Sequence, residues 1–144
     1  MISVEEIVNR LREQGERLTL QRRMVLDVLC QEGDHLSVHH VQQQLAEQGR
    51  DLTETTIYRV LQWLKERGIV SQTDLGQSGV VYQVIGLRLH HHLICLNCHQ
   101  EIELDDQVME ALRALLRRDY HFEPRMDHMA FFGLCQVCQD YHSE

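Results

Sequence analysis

Two cysteine pairs, Cys95-x-x-Cys98 and Cys135-x-x-Cys138, carry the sharpest chemical signal in the chain. Each pair has the spacing of a metal-binding knuckle, and two knuckles close tetrahedrally around one zinc ion. Four soft thiolates fill every position of zinc, so the expected site is structural and leaves no opening for catalysis. The competing reading is a redox dithiol beside a core cysteine pair. It needs a thioredoxin-like βαβ setting, which neither flank provides. Cys30 lacks a partner and reads as a small buried residue.

A histidine run, His90-His91-His92, lies just before the first knuckle. On a strand, side chains alternate, so His90 and His92 share one face and His91 takes the other. One tripeptide then feeds two metal sites. Glu103, on the neighbouring strand, is the carboxylate expected to complete the His90/His92 site, with His35 as a long-range ligand from the first half of the chain. Glu110 and His128 are the expected partners of His91. The other histidines, His39, His40, His99, His121 and His142, have no comparable context.

A second kind of chemistry lies upstream. With Ile57, Val60, Leu61 and Leu64 turned inward, a helix opened by Thr53 presents Thr55, Tyr58, Arg59 and Gln62 outward. An exposed Tyr-Arg pair near a helix N-terminus suits the major groove, where arginine grips guanine and a ring packs on thymine methyls. Arg17, Arg22 and Arg23 stand at the start of an earlier helix, within reach of phosphates. Lys65 and Arg67 extend the patch. Residues 1–84 nevertheless hold nine Lys/Arg against twelve Asp/Glu, and the whole chain carries a net charge of −8. DNA binding therefore depends on local clustering and on a dimer doubling the contacts.

The elements that position these residues follow from periodicity. Ile7, Val8 and Leu11 mark a first amphipathic helix ending near Gly15. Thr19 caps a second, whose buried side is Leu20, Val25, Leu26, Val28 and Leu29. Ser37 caps a third, stopped by Gly49, and the Thr53 helix stops at Gly68. Two β-rich runs, 69–73 and 80–85, flank a turn with Gly76 and Gly79. Helices followed by a two-stranded ribbon form the winged helix-turn-helix pattern. Strands are expected at 90–95, 101–104 and 129–134, with a helix over 105–120. The fold class is α+β: a winged-helix domain (1–84), a hinge (85–89) and a small α/β dimerisation domain (90–144). That second half is too small for a large core, so a zinc staple and dimerisation are its expected supports.

Composition sets the outer bounds. The 144 residues are 43% hydrophobic and 25% charged, as in globular proteins. The acidic, amphipathic start is unlike a signal peptide, and no apolar run reaches membrane-spanning length. The expected location is the cytoplasm, where thiols stay reduced and favour metal over disulfide.

Taken together, the chain resembles the ferric uptake regulator family of metal-sensing bacterial repressors. The likeness rests on Arg17-Leu18-Thr19-Leu20-Gln21-Arg22, on Thr55-Thr56-Ile57-Tyr58-Arg59-Val60-Leu61, on the run from His90 to Cys98, and on Gly133 to Cys138. The resemblance implies a homodimeric repressor, not an enzyme, that binds A/T-rich palindromic double-stranded DNA. It implies no membrane and no small-molecule substrate. By position, His35, His90, His92 and Glu103 fall on the sensory metal site. His91, Glu110 and His128 fall on a third site, and Arg17, Tyr58 and Arg59 on DNA contacts. The implied cofactors are one structural Zn2+ and a second divalent ion: Fe2+ or Zn2+ first, Ni2+ or Mn2+ as alternatives.

Three departures qualify that match. Leu20 stands where a proline is frequent. Gln83 occupies a position that usually supplies a metal ligand, and a neutral amide ligates zinc or nickel poorly. Leu89 replaces a frequent third-site histidine. Glu103 argues against the peroxide-sensing branch, which tends to use aspartate there, and the short His128–Cys135 interval resembles the nickel-responsive branch. From other classes, a zinc hydrolase lacks His-Glu-x-x-His and the deaminase signature. A zinc-stabilised protein adaptor is separated by a DNA-binding assay.

Overall fold

The computed structural model describes residues 3–86 and 89–142. The chain divides into two units. The first runs to Gln72 and resumes at Gly79; the second comprises Thr73–Ser78 and the chain from Leu89 onward. The tip between the two ribbon strands thus groups with the second unit, although it lies inside the 1–84 span. The expected hinge at 85–89 falls partly on residues 87 and 88, outside the described residues.

Four helices build the first unit: α1 (Val4–Glu13), α2 (Leu20–Glu32), α3 (Val38–Glu47) and α4 (Glu54–Glu66). Each begins at a hydroxyl cap, Ser3, Thr19, Ser37 and Thr53, whose oxygen accepts a backbone N–H of the first turn. Ser3 and Glu6 close a reciprocal capping box. The inward stripes meet in one core: Ile7, Leu11, Leu26, Leu29, Leu45, Ile57, Leu61 and Leu64 are fully buried. Leu20 departs from its expected place in that core and is 75% exposed. It sits at the first helical position, ahead of the covered part of the stripe, and Met24, one turn on, is buried instead. Strands β1 (Val70–Asp74) and β2 (Val80–Val84) form the two-stranded ribbon. Backbone bonds in both directions tie Leu36 to Tyr82 of β2, each 2.8 Å, which fixes the loop before α3.

The second unit is a three-stranded sheet in the order β4-β3-β5. Its central strand β3 (His90–Cys95) runs antiparallel to β4 (Glu101–Asp105) and parallel to β5 (Ala130–Gly133). The parallel neighbours β3 and β5 are joined by a long connection that passes through β4 and helix α5 (Glu110–Tyr120). The expected single helix over 105–120 is interrupted: Asp106–Met109 form a 3-10 turn, and α5 starts only at Glu110. The Asp105 carboxylate caps Gln107, and Asp106 is drawn away from the helix by other bonds described below. A closing helix α6 (Gln136–His142), unforeseen in the sequence, carries Cys138. Leu93, Ile102 and Phe131 stand side by side across the three strands and are all exposed, as are Leu112 and Leu115 of α5.

Candidate metal centre

The cysteine knuckles come together as their spacing predicts. The four sulfurs of Cys95, Cys98, Cys135 and Cys138 lie within 4.8 Å of one another. Cys98 Sγ and Cys135 Sγ are 3.7 Å apart. A zinc ion with Zn–S bonds of about 2.3 Å separates tetrahedral sulfurs by about 3.8 Å, so the set fits zinc. The local backbone builds it. After β3 the chain reverses with His99 at φ +64°, and Cys95 N–H bonds the Gln100 carbonyl. Leu96 N–H pairs with Gly133, bringing the two knuckles alongside each other.

Backbone N–H groups then favour the thiolate. The Cys135 N–H donates to Cys95 Sγ (3.4 Å), and with the Cys98 and Asn97 N–H groups it holds the Cys95 thiol down to about 5. Cys98 responds the other way. The Gln100 N–H pulls its thiol down, but the surrounding sulfurs of Cys95, Cys135 and Cys138 push it up to about 11. Cys138 receives an Asn97 side-chain donor and is also raised on balance by its sulfur neighbours. Four thiolates at these distances need a cation among them.

The histidine run divides as strand alternation predicts, yet all three rings are buried. His90 and His92 meet His128, with ring centroids 4.7–4.9 Å apart in edge-to-face contacts. His92 Nδ1 lies 2.9 Å from Glu101 Oε1, an ion-pair distance at which the carboxylate favours a proton on this nitrogen. The Thr73 hydroxyl donates to the His128 carbonyl (2.8 Å) and therefore accepts from His128 Nδ1 (2.8 Å). The two Nε2 atoms face each other at 2.7 Å. Two ring nitrogens at that distance share a cation between them, either a proton or a metal ion. Imidazoles oriented through Nδ1 by outer partners are the arrangement that prepares a metal ligand set.

His91 has a different role. Its Nδ1 accepts the Met129 N–H (3.0 Å), so its Nε2 donates to Asp106 Oδ1 (2.7 Å). Neither nitrogen keeps a lone pair for a metal. Arg113 closes the network with two bonds to Asp106 and one to Glu110 (2.7 Å). That pairing holds the Asp106 carboxyl below the ordinary carboxylate range, the Arg113 bonds first and the His91 bond after them. The expected third site is therefore not assembled: His91 bonds Asp106, Glu110 bonds Arg113, and His128 joins His90 and His92 instead. Glu103 faces His92 in the strand register but is exposed and outside the converging atoms. In the first unit, half-buried His35 adjoins the Leu36–Tyr82 bridge. Gln83 is buried, and its amide nitrogen has no partner among the described residues.

Of the outward face expected on α4, Gln62 is instead half-buried and donates to Gln72 Oε1 (2.9 Å) of the ribbon. Thr55, Tyr58 and Arg59 are exposed, Tyr58 by 49%. Arg17 is exposed and Arg22 half-buried at the start of α2. Arg23 is already engaged by Glu5 (3.0 Å) and Asp27 (2.9 Å).

Residues 13–132 match the sequence profile of the ferric uptake regulator family. The chain belongs to that family. It is a metal-responsive transcription regulator and not an enzyme. The ferric uptake regulation protein of Legionella pneumophila is 30% identical over 131 residues, covering 90% of this chain and 96% of that protein. Among solved structures, the Helicobacter pylori ferric uptake regulator is similar with a TM-score of 0.69 at 26% identity, covering 96% of this chain and 95% of that one. The Pseudomonas aeruginosa regulator with manganese gives a TM-score of 0.74 at 26% identity, covering 93% and 99%. The H. pylori protein has three functional metal-binding sites. In this family member the described residues of the second unit converge in two sets, the four cysteines and the three histidines. Thr73, Asp106 and Arg113 carry no signal in the sequence as site residues. Glu101 was legible in principle, since it shares the face of Glu103 by strand alternation.

Proposed function

We propose that this protein is a dimeric repressor whose operator binding is switched by a divalent cation held at His90, His92 and His128. The observation that carries this reading is the convergence of His92 Nε2 and His128 Nε2, 2.7 Å apart, beside the ring of His90. A metal bound there supplies positive charge and a fixed ligand polyhedron. A three-imidazole set suits Fe2+, Zn2+ or Ni2+ and not the hard oxygen-seeking cations, and we assign Fe2+ or Zn2+. His35 is the ligand proposed from the DNA-reading unit, because the adjacent Leu36–Tyr82 bridge holds its backbone to the ribbon. Ligation by His35 as well as by the second unit would couple metal occupancy to the posture of α4. The cysteine set holds the second unit folded and senses nothing.

Dimerisation is supported by the apolar row of Leu93, Ile102 and Phe131 across an exposed sheet face. A two-fold dimer presents two α4 helices to an A/T-rich palindromic operator, with Tyr58 and Arg59 toward base edges and Arg17, Arg22 and Thr55 toward the backbone. No helix of the described residues is long and apolar enough to cross a membrane, and a DNA-binding regulator of this kind acts in the cytoplasm. The test is a gel shift on A/T-rich palindromic DNA with and without Fe2+ or Zn2+. Metal-dependent binding by the natural protein, lost in the His90→Ala/His92→Ala variant while the zinc-containing dimer persists, supports the reading. Metal-responsive binding by that variant would sink it.

A further inference from the structure

Trp63, the only tryptophan, is half-buried at the edge of the first unit's core. Two guanidinium groups lie over its ring: Arg22 Cζ at 4.0 Å from the centroid and Arg67 Cζ at 4.1 Å. The two arginines differ in how their charge is met. Arg67 makes an ion pair with Glu16 at 2.9 Å, off the line of its N–H, and donates to the Trp63 carbonyl (3.1 Å). Arg22 has no carboxylate within ion-pair distance among the described residues. Its Nη1 donates to the Arg17 carbonyl (2.8 Å), and its flat face rests on the indole. Arg22, Trp63, Thr19, Thr56 and Arg59 line one cleft between the start of α2 and α4.

We propose that Trp63 is the positioning residue of a DNA-phosphate clamp in which Arg22 is the contacting cation. The proposal rests on the DNA-binding reading above. A guanidinium stacked on a ring uses its face and keeps its edge donors, which match a phosphate bidentately. The stack and the Arg17 carbonyl hold Arg22 in one rotamer before DNA arrives, so little side-chain freedom remains to be lost on binding. The charge has no internal carboxylate to leave. Arg23, next in sequence, is the contrast: Glu5 and Asp27 already hold it.

The experiment is fluorescence-anisotropy titration of the full-length, metal-loaded protein on an A/T-rich palindromic duplex and on a generic duplex, across a range of salt. A phosphate contact is blind to sequence, so Trp63→Leu and Arg22→Gln should each weaken binding about tenfold on both duplexes. Each should also lower the salt slope by about one per clamp. The double variant should bind no more weakly than Arg22→Gln alone, and Trp63→Phe, which keeps a ring, should recover most of the affinity. Should Trp63→Leu lose zinc or melt, Trp63→Phe and Arg22→Lys serve in its place. Arg22→Lys keeps the charge but loses the planar stack, so it should weaken binding and Trp63→Phe should not. Natural affinity and slope in Trp63→Leu, or losses that multiply in the double variant, would overturn the clamp alone. A natural protein that binds neither duplex under any metal would overturn the DNA reading and the clamp with it.

Discussion

His92 Nε2 and His128 Nε2 stand 2.7 Å apart, each on a ring whose Nδ1 faces an outer oxygen, Glu101 Oε1 at 2.9 Å in one case and Thr73 Oγ1 at 2.8 Å in the other. The second half of the chain thus carries a ligand pair built from residues far apart in sequence, with His90 edge-on to both.

This arrangement ranks His128 above Glu103 as a ligand. His128→Ala should lower affinity at the second site by at least about a hundredfold while the cysteine-bound zinc stays. Glu103→Gln, at an exposed position, should change affinity by less than about threefold. Competition against a chromogenic chelator measures both. The reverse order would restore Glu103 to the first coordination sphere and remove His128 from it.

Glu101 should matter without touching the metal. Outer carboxylates that hold a ligating imidazole typically contribute 10- to 100-fold in metal affinity, so Glu101→Gln should fall in roughly that range. An affinity equal to the natural protein's would mean that His92 is oriented by strand pairing alone. The same chelator competition reads it.

How much of this was legible in the sequence depends on the reach of each signal. The α4 stripe of Ile57, Val60, Leu61 and Leu64 is local periodicity, and it appears as expected. The four-cysteine set needs only two short spacings and a strand between them. The partner of His91 was not legible, because it depends on a 3-10 turn placing Asp106 under β3 and on Arg113 reaching back from α5. Arg113, seven positions beyond Asp106, was free on sequence grounds to face solvent. His128 was assigned to His91 for the same reason: its position before β5 is set by the sheet order and by Thr73, and neither is encoded near it.

The His91–Asp106–Arg113 network predicts a metal count. Both nitrogens of His91 are bonded, and the two nearby carboxylates share the Arg113 cation. The protein should bind two divalent ions per chain, one at the cysteines and one at the histidines, and His91→Ala should leave that number unchanged. Elemental analysis after equilibrium dialysis gives the count. A third tightly held ion that disappears in His91→Ala would refute the assignment.

The same network sets an acid dependence. Arg113 holds the Asp106 carboxyl below its ordinary value, so the unfolded state takes up this proton before the folded state does. The stabilisation is complete above the unfolded value of about 3.9 and is lost as pH falls through the lower folded value. At neutral pH, Arg113→Met leaves a mostly buried carboxylate without its cation, which costs on the order of 2–3 kcal/mol. Denaturant melts of the natural protein and the variant, compared at equal zinc content at each pH, should show that gap at pH 7 and its narrowing toward pH 3. A gap that persists in acid would place the effect in packing by the arginine stem instead.

At the cysteines, the opposed shifts of Cys95 and its neighbours predict proton release. Backbone N–H donors draw the Cys95 thiol down toward the thiolate before zinc arrives, whereas the neighbouring sulfurs push Cys98 and Cys138 up and favour their protonated forms. Zinc takes only thiolates, so its binding should expel at least two protons at pH 7. Calorimetry in buffers of different ionisation enthalpy counts them. Cys95→Ser removes the sulfur whose thiolate the backbone N–H groups favour, which is also the acceptor of the Cys135 N–H that seats the second knuckle. That variant should lose zinc and unfold the sheet unit, with the sheet signal in circular dichroism falling while the four-helix unit keeps its helical signal. A zinc-free Cys95→Ser protein with an intact sheet would show that strand pairing and the apolar face hold this unit without the metal.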